Sequence, residues 1–399
     1  MYLIKKNIFI LLSLFILMIY IFACGKKEIK KDILIRDYLT SDYKDLTISE
    51  LINNAKNKKK SSNYTYYDVL DCEPFEIIVP KNQSNAQSLS IVINDNCGHL
   101  IVFDGGRVED ADYLCDIIKD NGGIVTSWFI THIHDDHIGA LYEILNKKRT
   151  DIEIKEIIYK FADFDWYYSK MGNDAGIYYL FENVIKNYNE YLKLNNLDEV
   201  NIINQNNIKS NSGLYLFDYN VNVKDTSPLF ICGNSSKETI EELNELNKKE
   251  RYSKHCIMRV SILNDLYLLD QDPINNTSIV YYINFFEPKK FGMLIFGDLG
   301  YEGGNLLFSN FNYDDKTKFK NKIFFDDTKI IVLSHHGQNG IDPELYKKFN
   351  PKVVIWSTSK DIYENVHGKY YTNDTKKVLS EINSIECQIK SYEETAVIR

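Results

Sequence analysis

The chain is poor in the residues that staple or punctuate a fold: 7 prolines and 7 cysteines in 399 residues. The scarcity of proline carries no function. After Cys24, the cysteines Cys72, Cys97, Cys115, Cys232, Cys256 and Cys387 are widely spaced. They form no CxxC pair, which excludes a zinc knuckle, and no recognisable disulfide frame. Several lie in apolar, strand-like runs and read as buried free thiols. Beyond the N-terminus no apolar run is long enough for a bundle of membrane-spanning helices. Positive charge is also short. Lys and Arg number 47 against 56 Asp and Glu, a formal charge of -9 that offers no general attraction for a polyanion. Nucleic acid is therefore a disfavoured partner. No internal repeat is evident. What remains is ample apolar content, 44%, enough for one large α/β domain or two smaller ones.

The N-terminus reads as a processing signal. Lys5 and Lys6 precede an apolar run from Ile8 to Phe22, shorter than the roughly 20 residues of a transmembrane helix. Ala23 directly before Cys24 resembles the lipobox of bacterial lipoproteins, with Phe22 an unusual neighbour. The resemblance implies a signal peptide over 1–23 and a lipid on Cys24. It also implies a membrane-anchored protein on the extracytoplasmic face, since two or three acyl chains suffice for stable anchoring. Residues 24–65 then form a charged tether. It carries one short helix, opened by the capping-box pattern Thr47-Ile48-Ser49-Glu50.

The folded part, 66–399, alternates strand-like and helix-like runs, an α/β pattern. Residues 161–254 read as an insertion. Its aromatic cluster of Phe161, Phe164, Trp166, Tyr167 and Tyr168 either lines a cleft or belongs to the core, and the sequence leaves both open.

The densest chemistry is Thr131-His132-Ile133-His134-Asp135-Asp136-His137, which holds three of the chain's 8 histidines. On an extended segment His132 and His134 leave the same face and can chelate one ion. Asp136 and His137 face a second position, so the spacing suits a pair of metals. A buried strand precedes the segment and a helix follows it, the usual setting for chemistry on a rigid scaffold. Two other apolar strands end in metal-capable residues, Ile295-Phe296 before Asp298 and Val332-Leu333 before His335 and His336. Ligands collect at the C-terminal edge of open α/β sheets, so the three ends are expected to converge.

HxHxDH, a later Gly-Asp after a strand and a still later His-Gly resemble the metallo-β-lactamase superfamily over residues 66–399. Asp104-Gly105-Gly106, Asn275-Asn276-Thr277-Ser278-Ile279-Val280, Phe296-Gly297-Asp298 and Ser334-His335-His336-Gly337 are similar to the branch with the extracellular domain of ComEC-type DNA-uptake proteins. The resemblance implies a four-layer αββα fold, two facing mixed sheets flanked by helices. It implies two divalent ions, with His132 and His134 on the first, Asp136 and His137 on the second, and Asp298 bridging. Asp136 and Asp298 are then catalytic as well as ligating. One of His335 and His336 completes the second site, and the place of His336 directly before Gly337 favours it. The third histidine usual for the first ion has only His255 as a candidate here. Asp104 is expected to accept a hydrogen bond from a ligand histidine or the loop backbone instead of touching metal. Asn275, Ser278 and His367 are expected near the edge of the cluster.

The histidine share favours zinc, while the carboxylates admit manganese or iron. Paired divalent ions activate water without a separate general base, so hydrolysis is the implied reaction. Phosphoesters or phosphodiesters of small or cell-envelope molecules are the expected substrates. The alternatives are a lactonase or β-lactamase-type hydrolase and a non-catalytic surface binding module.

Overall fold

A computed structural model describes residues 33–35, 61–70, 75–94, 100–204, 215–220, 229–234, 257–264, 266–285, 290–310 and 327–399. The signal segment, Cys24, the capping-box pattern and His255 lie outside the described residues. In chain order the N-terminal half holds β1 (Ile33–Ile35), β2 (Tyr64–Tyr67), β3 (Glu76–Val79), β4 (Ile91–Asn94), β5 (Leu100–Phe103) and α1 (Ala111–Asp120). It continues with β6 (Ile124–Phe129), α2 (Asp135–Asn146), β7 (Glu153–Ile154), β8 (Glu156–Tyr159), α3 (Phe164–Met171) and α4 (Gly176–Leu194). There follow β9 (Asn201–Asn204), β10 (Tyr215–Asn220), β11 (Leu229–Asn234), β12 (Ile257–Ile262), β13 (Tyr281–Phe285), β14 (Phe291–Ile295) and α5 (Tyr301–Asn310). The chain ends with β15 (Thr328–Val332), β16 (Val353–Trp356), α6 (Lys360–Glu364), α7 (Thr372–Ser380), β17 (Cys387–Lys390) and β18 (Thr395–Ile398).

These strands form two mixed sheets. One runs β2-β18-β3-β4-β5-β6-β8-β9 with β7 beside β6, the other β1-β11-β10-β12-β13-β14-β15-β16-β17. In each, a run of neighbouring strands is parallel, β5-β6-β8-β9 in the first and β14-β15-β16-β17 in the second.

Burial follows the two-residue period of a strand. Ile77, Phe103, Phe129 and Ile158 of the first sheet meet Tyr281, Ile283, Ile295, Val332 and Ile355 of the second in one core. Their immediate neighbours face outward under helices. Ile78, Val102, Trp128 and Ile157 pack with Leu114, Leu141, Ile144 and Phe181 from α1, α2 and α4. Val280, Leu294, Ile331 and Val354 pack with Leu307, Tyr346 and Leu379 on the far side. Strands buried on both faces need apolar residues at every position, which is why these runs show no alternation in sequence. The result is the expected four-layer arrangement, helix, sheet, sheet, helix.

The stretch expected as an insertion builds part of this frame. Phe161 and Tyr167 are fully buried in the helix-covered core, whereas Phe164 and Tyr168 are exposed. Strands β9, β10 and β11 extend the two sheets. Within the expected tether, β1 pairs antiparallel with β11. Of the cysteines with described side chains, Cys115 is buried and Cys387 half-buried, both as free thiols.

Candidate metal centre

The parallel strands of both sheets end at one edge, and the chemistry sits there. Asp104 follows β5, residues 131–137 follow β6, Asp298 follows β14, His335 and His336 follow β15, and Ser357 follows β16. Asp136 and His137 lie in the first turn of α2, not in a loop before it, because the helix starts at Asp135 with His134 as its extended cap. The start of α2 is pinned by close packing. A Cβ on Gly139 would stand 2.8 Å from the Val108 backbone nitrogen, so only glycine lets the helix approach the loop after Asp104. The His132 loop is tied across to the second sheet by Ile279 N–H donating to the Thr131 carbonyl at 2.9 Å and Tyr281 Oη–H donating to the Ile130 carbonyl at 2.7 Å. Gly297, at φ 57°, makes the turn that presents Asp298, and its carbonyl accepts from His335 N–H at 2.9 Å.

Two groups of donors result. Asp136, His137, Asp298 and His336 form one, and His132, His134 and Asp298 the other, each with its donor atoms within 4.8 Å of one another. In the four-residue group, His137 Nε2 is 3.0 Å from Asp298 Oδ1, and His336 Nε2 is 3.2 Å from Asp136 Oδ2 and 3.4 Å from Asp298 Oδ1. In the three-residue group, His132 Nε2 is 3.0 Å from His134 Nδ1 and 3.8 Å from Asp298 Oδ2. Between the two neighbouring histidines after β15, the one that completes the four-residue group is thus His336. His335, the other member of the pair left open in the sequence, approaches the second oxygen of Asp298 instead, its Nε2 3.7 Å from Oδ2. Consecutive positive φ values, 47° and 58°, turn the two side chains in different directions. Such backbone is costly outside glycine and is retained where a site needs it.

The outer ring nitrogens are fixed. His336 Nδ1–H donates to the Ser357 carbonyl at 2.6 Å, an acceptor that cannot donate back, so the ring's other nitrogen carries the lone pair when neutral. His137 Nδ1 is 2.8 Å from Asp104 Oδ2, whose carboxylate also accepts from Thr131 N–H and Thr131 Oγ1–H, each at 2.7 Å. Asp104 therefore contacts both a histidine of the donor group and the loop backbone. Ser278 Oγ accepts from Asp298 N–H at 2.9 Å, and Asn275 Nδ2 approaches His335 Nε2 at 3.4 Å. His367 sits on an exposed loop, with no hydrogen bond or ion pair to the cluster among the described residues.

The charges of the donors depend strongly on one another. Burial opposes charge throughout. Yet His336 and His137 hold Asp136 and Asp298 below the ordinary carboxylate range, while Asp298 helps push His336 up to about 9 and His137 well above its usual value. Burial instead lowers His132 and His134, the neutral form that binds metal. His137 Nε2, His336 Nε2 and Asp298 Oδ1 are buried without a well-formed hydrogen bond. Buried polar atoms seldom go unpaired, and here three converge where a divalent ion would satisfy them together. The donor set fits such an ion.

Three contributors had no signal in the sequence. Ser357 acts through its carbonyl, which every residue has. Thr131 opens the histidine segment but looks like strand. Arg107 Nη2 stands 3.6 Å from Asp136 Oδ2 while its Nη1 pairs with Asp135 at 2.6 Å, a contact made only by folding.

A model of the metallo-beta-lactamase superfamily matches residues 85–195, the part that carries Asp104 and the whole 131–137 segment. Among solved structures the chain is similar to the metallo-beta-lactamase fold protein YhfI from Bacillus subtilis, at 6% identity and TM-score 0.36 over 79% of this chain and 94% of that one. It is similar to a diphosphatase from the PhnP family, at 9% identity and TM-score 0.33 over 74% and 91%. A third similarity is to unliganded yeast PDE1, at 11% identity and TM-score 0.34 over 82% and 97%. No curated protein matches the chain.

Proposed function

We propose that the chain is a metal-dependent hydrolase of the metallo-β-lactamase superfamily that cleaves phosphoester or phosphodiester bonds and is tethered by lipid on Cys24 outside the cytoplasm. The observation that carries the hydrolase reading is the pair of donor groups sharing Asp298, with three buried donor atoms that make no hydrogen bond. Divalent ions, when bound, activate water and stabilise developing negative charge, and a pair of them suits in-line displacement at phosphorus. The chain's own residues hold and orient. Asp298 joins the groups, Asp104 and Ser357 fix the rings of His137 and His336, and Arg107 offsets part of the Asp136 charge. His335 stands beside the shared carboxylate, its Nε2 3.7 Å from Asp298 Oδ2. The phosphoester preference is supported by the residues that resemble the ComEC-type branch.

The test is turnover by the full-length chain loaded with zinc or manganese, against bis-p-nitrophenyl phosphate, p-nitrophenyl phosphate, nitrocefin and lactones. Nitrophenolate release from the phosphoesters alone, lost in the Asp136→Ala/His137→Ala variant, is expected. A folded chain that binds no divalent metal overturns the reading. For the tether, labelled palmitate is expected in the wild type and absent from Cys24→Ala; equal labelling of both removes it.

A further inference from the structure

We propose that a cavity beside the donor groups receives an organic cation, an ammonium group carried by the substrate. Its position next to the reacting bond rests on the hydrolase reading, but its ligand chemistry stands on separate residues. The cavity has a volume of about 450 Å³ and is lined by Tyr301, Glu302, Gln338, Ile341, Tyr371 and Asp374 among others. That volume suits a small ligand. Its wall includes residues that follow the donor residues closely in the chain. Gln338 N–H donates to the His335 carbonyl at 2.9 Å, and Tyr301 opens α5 just after the Asp298 turn.

Charge selects the occupant. Glu302 and Asp374 occupy the first turns of α5 and α7, where the helix N-terminus favours an ionised carboxylate. Neither has an ion-pair partner among the described residues, and no Lys or Arg lines the cavity. An anion is therefore repelled. A divalent metal is also a poor occupant, because the two carboxylates belong to no metal-ligating group among the described residues.

The remaining surface is aromatic and amide. Tyr301 and Tyr371 are 52% and 65% exposed, unusually open for large aromatic residues, and ring faces attract ammonium groups. Gln338 is only 6% exposed, yet its side-chain amide has no hydrogen-bond partner among the described residues. Its amide borders the cavity, where the carbonyl oxygen can accept from a primary ammonium or sit against the polarised methyl groups of a quaternary one. Two anionic side chains, two tyrosines and an amide around one cavity complement an organic cation.

Esters that share one leaving group isolate this feature. The full-length, metal-loaded chain is given p-nitrophenyl phosphocholine, p-nitrophenyl phosphoethanolamine and methyl p-nitrophenyl phosphate. The charged esters are expected to exceed the methyl ester in kcat/KM by about tenfold, a ratio that collapses in Glu302→Gln/Asp374→Asn and in Tyr371→Ala. Choline and ethanolamine binding, followed by calorimetry, gives a readout free of turnover. A stronger response to choline assigns the selectivity to the tyrosines, and a stronger one to ethanolamine assigns it to the carboxylates and Gln338. Binding lost in the double variant supports the cavity even where no ester is cleaved, in which case the hydrolase reading fails alone. Absence of saturable binding to the wild type, or binding undiminished in the double variant, overturns the proposal.

Discussion

The two donor groups share one carboxylate but are held differently. In the four-residue group each histidine is clamped from behind, His336 by the Ser357 carbonyl at 2.6 Å and His137 by Asp104 at 2.8 Å, and all four residues are buried. In the three-residue group His132 has only the Thr131 hydroxyl at 3.2 Å, which already donates to Asp104, while the less buried His134 contacts little besides His132. A ring fixed before metal arrives loses less freedom when it binds, so support from behind translates into affinity. The difference teaches that the residues behind the ligands, along with the number of donors, distinguish the two halves of this centre.

The comparison breaks most completely at Asp298. Asp298→Ala removes the carboxylate common to both groups, and metal analysis is expected to find neither position filled, with hydrolysis down by about 10³-fold or more. Next, His336→Ala should empty the four-residue group while leaving metal at the other, a loss visible as a change in bound stoichiometry. Asp104→Asn keeps every ligand and weakens only the support of His137. It is expected to lower affinity at the four-residue group by about 10- to 100-fold in a metal titration. The smallest effect belongs to His335→Ala. At 3.7 Å from Asp298 Oδ2 and 16% exposed, its side chain only neighbours the shared carboxylate, and its loss should weaken the three-residue group by about tenfold or less.

Much of this was legible in sequence because it lay at strand ends. Apolar runs ending before His132, Asp298 and His336 gave the α/β pattern and the converging edge, the resemblance gave the layer order, and the spacing of His132, His134, Asp136 and His137 suggested two positions. The faces of those strands were not legible, since Trp128 and Phe129 or Leu294 and Ile295 are equally apolar and only packing assigns one to each core. His335 and His336 were inseparable for a similar reason. Adjacent residues of one type differ here only through left-handed backbone at both, which no pattern of side chains encodes. Phe161 and Tyr167 turned out to be core, and Phe164 and Tyr168 surface, within one aromatic cluster. The supports of the ligands are mostly backbone groups and distant side chains such as Arg107, brought into place by the sheets and silent in sequence.

The most direct test is a divalent-metal titration of the full-length chain, repeated on His336→Ala and His134→Ala. Two classes of site are predicted, with His336→Ala removing the tighter one and His134→Ala the weaker. A single class, or the reverse assignment, contradicts the account that Asp104 and Ser357 make the four-residue group the firmer half of the centre.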